Sequence, residues 1–311
     1  MRKFILQLVV FSVFSSVVHA QKTDDLMDML DKSTPAAQKK QYATATFKAT
    51  RLIDGMTVEN LGAGVLDCRI DHRFGQLSQG SSNFYGVDDA TTLLDLDYGI
   101  TKWLMVGLNH SVLNKEYGGF LKAKILRQQK DAMPFTLSYA FSTSEQTTPS
   151  PQLPVATDKW YMSNRLYYTN QILIGRKFSE AVSFQIVPTI VHYNIVDSNK
   201  TNNNTVALGL GGRVKLTKRM AITGEYYYRL TNTDMTYQGA KTYNSCSLGL
   251  EIETGGHVFQ LMLTNSASIT ERMFIGQTTD SWGKGQLHIG FNISRVFTVV
   301  KPKGFKGSDA K

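Results

Sequence analysis

The chain has 311 residues, a formal net charge of +9, 42% hydrophobic residues and two cysteines. Two cysteines exclude a disulfide-built scaffold, and basic residues scattered along the whole length argue against a nucleic-acid partner. Fourteen Tyr, sixteen Phe and 25 Gly stand against seven Pro, yet mean hydropathy is only −0.20. That combination suits strands apolar on one face and polar on the other, because the two faces cancel in an average.

Arg2 and Lys3 precede a largely apolar run over residues 4–18, and Val18-His19-Ala20 offers small residues for signal-peptidase cleavage before Gln21. The run is shorter than the ~20 residues a spanning helix needs. Residues 1–20 are therefore expected to be a removed signal peptide, and losing Arg2 and Lys3 takes the charge from +9 to +7. No cysteine follows the run to accept a lipid. Residues 21–43 read as a periplasmic leader. Within it, Asp24, Asp25, Leu26, Met27, Asp28, Met29, Leu30 and Asp31 form a short amphipathic helix that Ser33-Thr34-Pro35 ends. This acidic segment is the expected contact for a periplasmic partner.

From about residue 62 the pattern has period two. Leu66, Cys68, Ile70 and His72 alternate with Asp67, Arg69, Asp71 and Arg73; Leu94, Leu96 and Tyr98 alternate with Asp95 and Asp97. Leu121, Ala123 and Ile125 alternate with Lys122 and Lys124, and Phe135, Leu137, Tyr139 and Phe141 with Thr136, Ser138, Ala140 and Ser142. The alternation recurs, with exceptions, to the segment at 285–297, which is a sheet with one apolar and one polar face. Most segments run about ten residues, the length of a tilted strand that crosses a bilayer. Connections near residues 99–102, 178–180, 217–218 and 255–256 are tight, whereas 75–89, 143–161, 196–203, 231–242 and 266–284 are long, the layout of an outer-membrane barrel. Twelve segments put both ends in the periplasm. The predicted fold is all-β, a closed antiparallel transmembrane barrel of about twelve strands over residues 44–298. The β-like stretch at 44–53 is an odd thirteenth and is expected in the periplasm or the lumen. A basic, disordered tail is expected over 299–311. Pro188 removes a ladder hydrogen bond, which predicts a bulge.

On this register Asp67, Arg69, Asp71, Arg73, Asp95, Asp97, Lys122, Lys124, Arg165, Arg213, Glu225, Arg229 and Glu251 all point into the lumen. Two readings stay open: salt bridges that knit a small barrel shut, or a charged eyelet that selects solutes. The histidines of the exported chain (His72, His110, His192, His257 and His288) form no recognisable ligand motif, so no metal or cofactor is expected. Asn109-His110-Ser111 and His192-Tyr193-Asn194 contain residue types found in outer-membrane lipases, but alternation sets His110 and Ser111 on opposite faces, and no nucleophile motif accompanies them. Cys68 and Cys246 face outward about three strands apart, roughly 14 Å at ~4.8 Å per strand; that is beyond disulfide reach.

An ordered set of landmarks runs through the chain. Ala45-Thr46-Phe47-Lys48-Ala49-Thr50-Arg51-Leu52-Ile53 comes first, followed by Asp71-His72-Arg73-Phe74-Gly75 and Tyr85-Gly86-Val87-Asp88-Asp89-Ala90. Leu96-Asp97-Tyr98-Gly99-Ile100-Thr101 and Gly256-His257-Val258-Phe259-Gln260 follow, with Gly290-Phe291-Asn292-Ile293-Ser294-Arg295 near the end. Together these resemble an uncharacterised family of Gram-negative β-barrel proteins that carries only a domain-of-unknown-function label. The resemblance implies a barrel in the outer membrane and transfers no activity. The expected function is a narrow pore or solute-specific channel embedded in outer-membrane lipid; the alternative is a non-conducting barrel that anchors an envelope complex.

Overall fold

A computed structural model describes residues 41–148, 161–196 and 201–300. The signal peptide expected at 1–20, the acidic segment at 24–31 and the tail from Lys301 lie outside the described residues. Twelve antiparallel strands close into a barrel. In chain order they are β1 (Val65–Gln76), β2 (Ala90–Gly99), β3 (Leu104–Ser111), β4 (Glu116–Leu126), β5 (Thr136–Gln146) and β6 (Leu166–Lys177), then β7 (Val182–Tyr193), β8 (Asn204–Lys215) and β9 (Met220–Arg229). A two-stranded hairpin, β10 (Thr236–Tyr237) and β11 (Ala240–Lys241), stands apart before β12 (Ser245–Thr254), β13 (His257–Thr264) and β14 (His288–Thr298). Pairing of β1 with β14 closes the ring, with Cys68 opposite Arg295. Closure leaves no strand edge unpaired, which is what a barrel in hydrocarbon requires.

Successive residues take opposite faces, and the sequence period sorts them. Leu94, Leu96, Leu108, Leu121, Ile172, Leu248 and Leu261 are exposed on the outside, whereas Asp67, Arg69, Asp95, Asp97 and Lys122 are buried within. An apolar band this continuous suits lipid rather than water. Tyr98, Phe184 and Phe297 lie toward the short-turn end, joined by Trp103 and Phe178; Phe74 and Tyr228 lie toward the long-loop end, joined by Tyr117. Phe141, an outward aromatic of the same alternation, sits at the middle of β5 and joins neither band. Two connections also break the long–short rule around β4. The link at 112–115 is short at the long-loop end, and the link at 127–135 is longer at the other.

Pro188 causes no bulge. Gln171 pairs with Thr189 and Ile174 with Ile186 in one register, with only the ladder between them interrupted. On its other side β7 runs in register with β8 through Pro188 and Leu208. A missing N–H costs a bond locally without adding a residue, so the register survives. The register shifts instead between Arg73 and Gln76 on β1 and between Lys124 and Leu126 on β4.

The residues ahead of β1 fold into the barrel. Ala43 donates to the Gln128 carbonyl at the short-turn end, the chain climbs the lumen, turns at Ile53-Asp54, and descends to β1. Arg51 and Met56 bridge across this hairpin, with Leu52 N–H on the Gly55 carbonyl at 2.8 Å and Thr57 N–H on the Thr50 carbonyl at 2.9 Å. The stretch at 44–53 is thus a lumenal arm rather than a thirteenth wall strand. From the long-loop end the β13–β14 connection also folds inward, carrying the helix Glu271–Gly276, all six residues of which are buried.

Candidate functional site

The site is the septum these two segments form across the lumen. It begins with backbone chemistry. A hairpin inside a barrel has carbonyls that neither strand partners nor water satisfy, and each needs a donor from the wall. Gln260 donates to the Leu52 carbonyl at 2.8 Å, Asn292 to Ile53 at 2.9 Å, Gln185 to Met56 at 2.8 Å and Ser138 to Val58 at 3.3 Å. Lys122, fully buried, reaches the Thr57 carbonyl at 3.2 Å and that of Thr50 at 3.4 Å. At the tip, Glu225 accepts the N–H groups of Asp54 at 2.8 Å and Gly55 at 3.1 Å.

Apolar side chains fasten the hairpin as well. Phe47, Leu52, Met56, Val58 and Leu61 pack on inward-facing Met105, Phe120, Ala140, Leu173 and Val187. A second cluster holds the loop: Phe274 and Ile275 pack on Tyr167, Val191, Tyr193, Ala207 and Tyr227. The polar face of the sheet therefore carries two apolar patches, one for each inserted segment.

The charges form a network through the septum. Asp54, with no exposed surface, accepts Arg73 at 2.6 Å. Arg69 bridges Asp71 at 3.0 Å and also Asp95. Arg51 of the hairpin lies 3.4 Å from Asp95 and 2.5 Å from Glu271 of the inserted loop. Burial alone pulls the Arg51 guanidinium's pKa down, but Glu271, Asp95 and Asp97 more than offset this and raise it, so the group stays charged. Arg272 of the same loop pairs with Glu116 of β4 at 2.7 Å. Toward the short-turn end Arg213 bridges Glu251 and Glu253, Lys48 reaches Glu253, and Lys124 reaches Glu59.

Asp67, Arg69, Asp71, Arg73, Asp95, Asp97, Lys122, Lys124, Arg213, Glu225, Arg229 and Glu251 are placed on the inner wall. Arg165 is not: it ends a short helix, Met162–Arg165, ahead of β6 at the rim, where it lies 3.5 Å from Glu145. Its alternation with Tyr167 mimicked a strand one turn too early. Asp67 binds Ser294, and Arg229 binds Thr242 and the Gly276 carbonyl. Inspection of strand faces missed the hairpin's Lys48, Arg51, Asp54 and Glu59 and the loop's Glu271 and Arg272. The Asp54-Gly55 dipeptide is a turn signal in sequence, although the turn places Ile53 and Asp54 at its apex and neither Asp54 nor Gly55 takes a positive φ. No local signal marked the loop.

The histidines are accounted for. His72 stacks on Phe291 at 5.0 Å, His110 on Tyr117 at 4.3 Å and His257 on Phe259 at 5.9 Å, all on the outer face. The Nδ1 atoms of His110 and His192 bond the Glu116 carbonyl and the Asn204 side chain, and neither ring is aimed at a serine by these contacts. His288 has both nitrogens engaged, with Asp280 and with the Phe74 carbonyl, each at 2.8 Å. Among the described residues no cluster of three or more His, Cys, Asp or Glu is arranged to hold a metal. Cys68 and Cys246 are free thiols.

The septum leaves space on both sides. A cavity of about 530 Å³ lies at the short-turn end between the hairpin and β12, β13, β14 and β1, reaching up to Thr50 and Asp67. Another of about 380 Å³ lies between the hairpin and the β4–β5 link. At the long-loop end a cavity of about 140 Å³ lies over Met273 and Tyr237. The tip fit is tight: a Cβ on Gly55 would collide with the Tyr227 hydroxyl and lie 3.2 Å from Glu225. Gly55→Ala is expected to loosen docking by about 1–3 kcal/mol, the usual range for overpacking. Limited proteolysis within 44–61 of the folded barrel checks this; unchanged protection would contradict the tip packing.

A family model described as a membrane-bound β-barrel domain (DUF5777) matches residues 47–297. No curated protein matches the chain. Among solved structures, the KdgM porin is similar at 10% identity and a TM-score of 0.44, over 75% of this chain and 99% of that one. An outer membrane channel from Pseudomonas putida F1 is similar at 11% identity and 0.46, over 77% and 98%. Outer membrane phospholipase A from Escherichia coli, as an active-site mutant, is similar at 11% identity and 0.43, over 76% and 91%.

Proposed function

The chain belongs to the family of membrane-bound β-barrel domains, and from that premise we propose that it is a solute channel of the Gram-negative outer membrane, held shut by its own hairpin and loop. The export signal read in residues 1–20 and the closed, lipid-suited barrel support the location. The observation that carries the function is the chemistry of the septum: polar wall side chains grip the backbone of a separate chain segment, so withdrawal of that segment uncovers a wall that water can wet. A barrel of twelve strands is wide enough for a water path once emptied. The hairpin rises from the short-turn end, assigned to the periplasm, so a periplasmic partner would meet the gate from that side.

Single-channel recording in planar bilayers is the test. The full chain is expected to be closed for most of the record, whereas a variant lacking residues 44–61 conducts stably. If that variant assembles, judged by heat-modifiable migration, and stays silent, the channel reading fails and a non-conducting anchor takes its place.

A further inference from the structure

We propose that the place Arg51 occupies is a cation site, and that the channel serves guanidinium-bearing solutes, for which Arg51 is a tethered stand-in. The inference rests on the channel reading and adds a substrate class and a trigger to it. Arg51 is only 3% exposed and lies between carboxylates from two directions, Asp95 on the wall at 3.4 Å and Glu271 on the inserted loop at 2.5 Å. The ring of Phe120 lies 5.7 Å from its guanidinium carbon. Opposed carboxylates and an aromatic face suit a planar, delocalised cation better than a compact ammonium.

The site has acceptor capacity beyond what Arg51 uses. Among the described residues Asp95 Oδ1 and Asp97 Oδ1 are buried without a hydrogen-bond partner, and so are both carboxylate oxygens of Asp71, although Arg69 lies in ion-pair range of that group. Asp97 accepts the Thr50 hydroxyl at 3.1 Å, its one hydrogen-bond donor among the described residues, and that hydroxyl leaves with the hairpin. Withdrawal also takes away Arg51, leaving four buried carboxylates on β1 and β2 (Asp67, Asp71, Asp95 and Asp97) against three buried cations, Arg69, Arg73 and the neighbouring Lys122 of β4. An opened lumen is thus acidic along this wall and attracts cations. A solute guanidinium that binds where Arg51 sits competes with the closed state alone, and mass action then favours opening. A crevice of about 10 Å³, room for about one water, touches Glu271.

The full chain is recorded in planar bilayers with L-arginine added on the long-loop side, and with L-citrulline, its uncharged near-isostere, as control. Arginine is expected to raise open probability several-fold and citrulline to leave it unchanged. Arg51→Ala is expected to open without arginine and to lose the response. Should that variant fail to assemble, Glu271→Gln keeps the shape, removes one carboxylate charge, and is expected to raise basal opening and weaken the arginine response. The variant lacking 44–61 should favour potassium over chloride in its reversal potential, and Asp95→Asn with Asp97→Asn should reduce that preference. Equal action of citrulline, an unchanged Glu271→Gln response, or chloride preference in the shortened variant overturns this inference while the channel reading stands. Silence of the shortened variant overturns both.

Discussion

Arg73→Met is expected to free the lumenal hairpin. Asp54 at the tip has no exposed surface, and Arg73 at 2.6 Å is its charged partner. The other contact to its carboxylate is a 3.4 Å approach of the Ser247 hydroxyl. Removing one member of a buried pair leaves the other charge uncompensated, a loss of roughly 3–5 kcal/mol. That corresponds to about two to three and a half decades in the docking equilibrium. Protease cleavage within 44–61, or opening frequency in a bilayer, reads the change. The double variant Arg73→Met with Asp54→Leu is expected to recover much of the docking, because no charge is then stranded. A single variant as protected as the parent, or a double variant no better than the single, would refute the pairing as the latch of the tip.

The second large effect belongs to the outer face. Leu261 lies near mid-height of β13, half exposed, opposite Leu250 on β12 and Phe291 on β14. Arginine at a lipid-facing midplane position costs roughly 2–4 kcal/mol, falling to about 0–1 near the interfaces. Leu261→Arg should therefore lower the yield of heat-modifiable protein in the outer-membrane fraction. Leu137→Arg should do so less, because Leu137 is the second residue of β5 and lies near the short-turn end. Equal yields would mean that the membrane-crossing band is misplaced. Ser138 faces the lumen, as alternation requires, but it is fully buried beneath Val58. Arginine there is expected to leave the barrel assembled while driving the hairpin out, so it reports on the plug and is no neutral control for Leu137.

The two effects separate the energetics of the molecule. Lipid-facing positions decide whether the barrel assembles at all, because a charge in hydrocarbon has no local remedy. Lumenal positions decide whether the assembled barrel is shut. The wall is bonded around its circumference without help from the hairpin, so undocking need not cost the barrel its closure.

The sequence by itself determined the strand count and the facing of Leu96, Asp97, Lys122 and Glu251. Each follows from a period of two, set by the pleat and readable within a few residues. Only the tertiary structure decided what fills the lumen. That Arg51 meets Glu271, or that Gln260 and Asn292 serve the hairpin's carbonyls, depends on contacts spanning more than 200 residues of chain. Inward Met105, Leu173 and Val187 look like lapses in the alternation until Leu52 and Val58 pack on them. The same limit explains the misplacement of Arg165, where one helical turn before β6 imitated the strand. An alternating pattern fixes which way a side chain points, but only the closed ring fixes what it meets there.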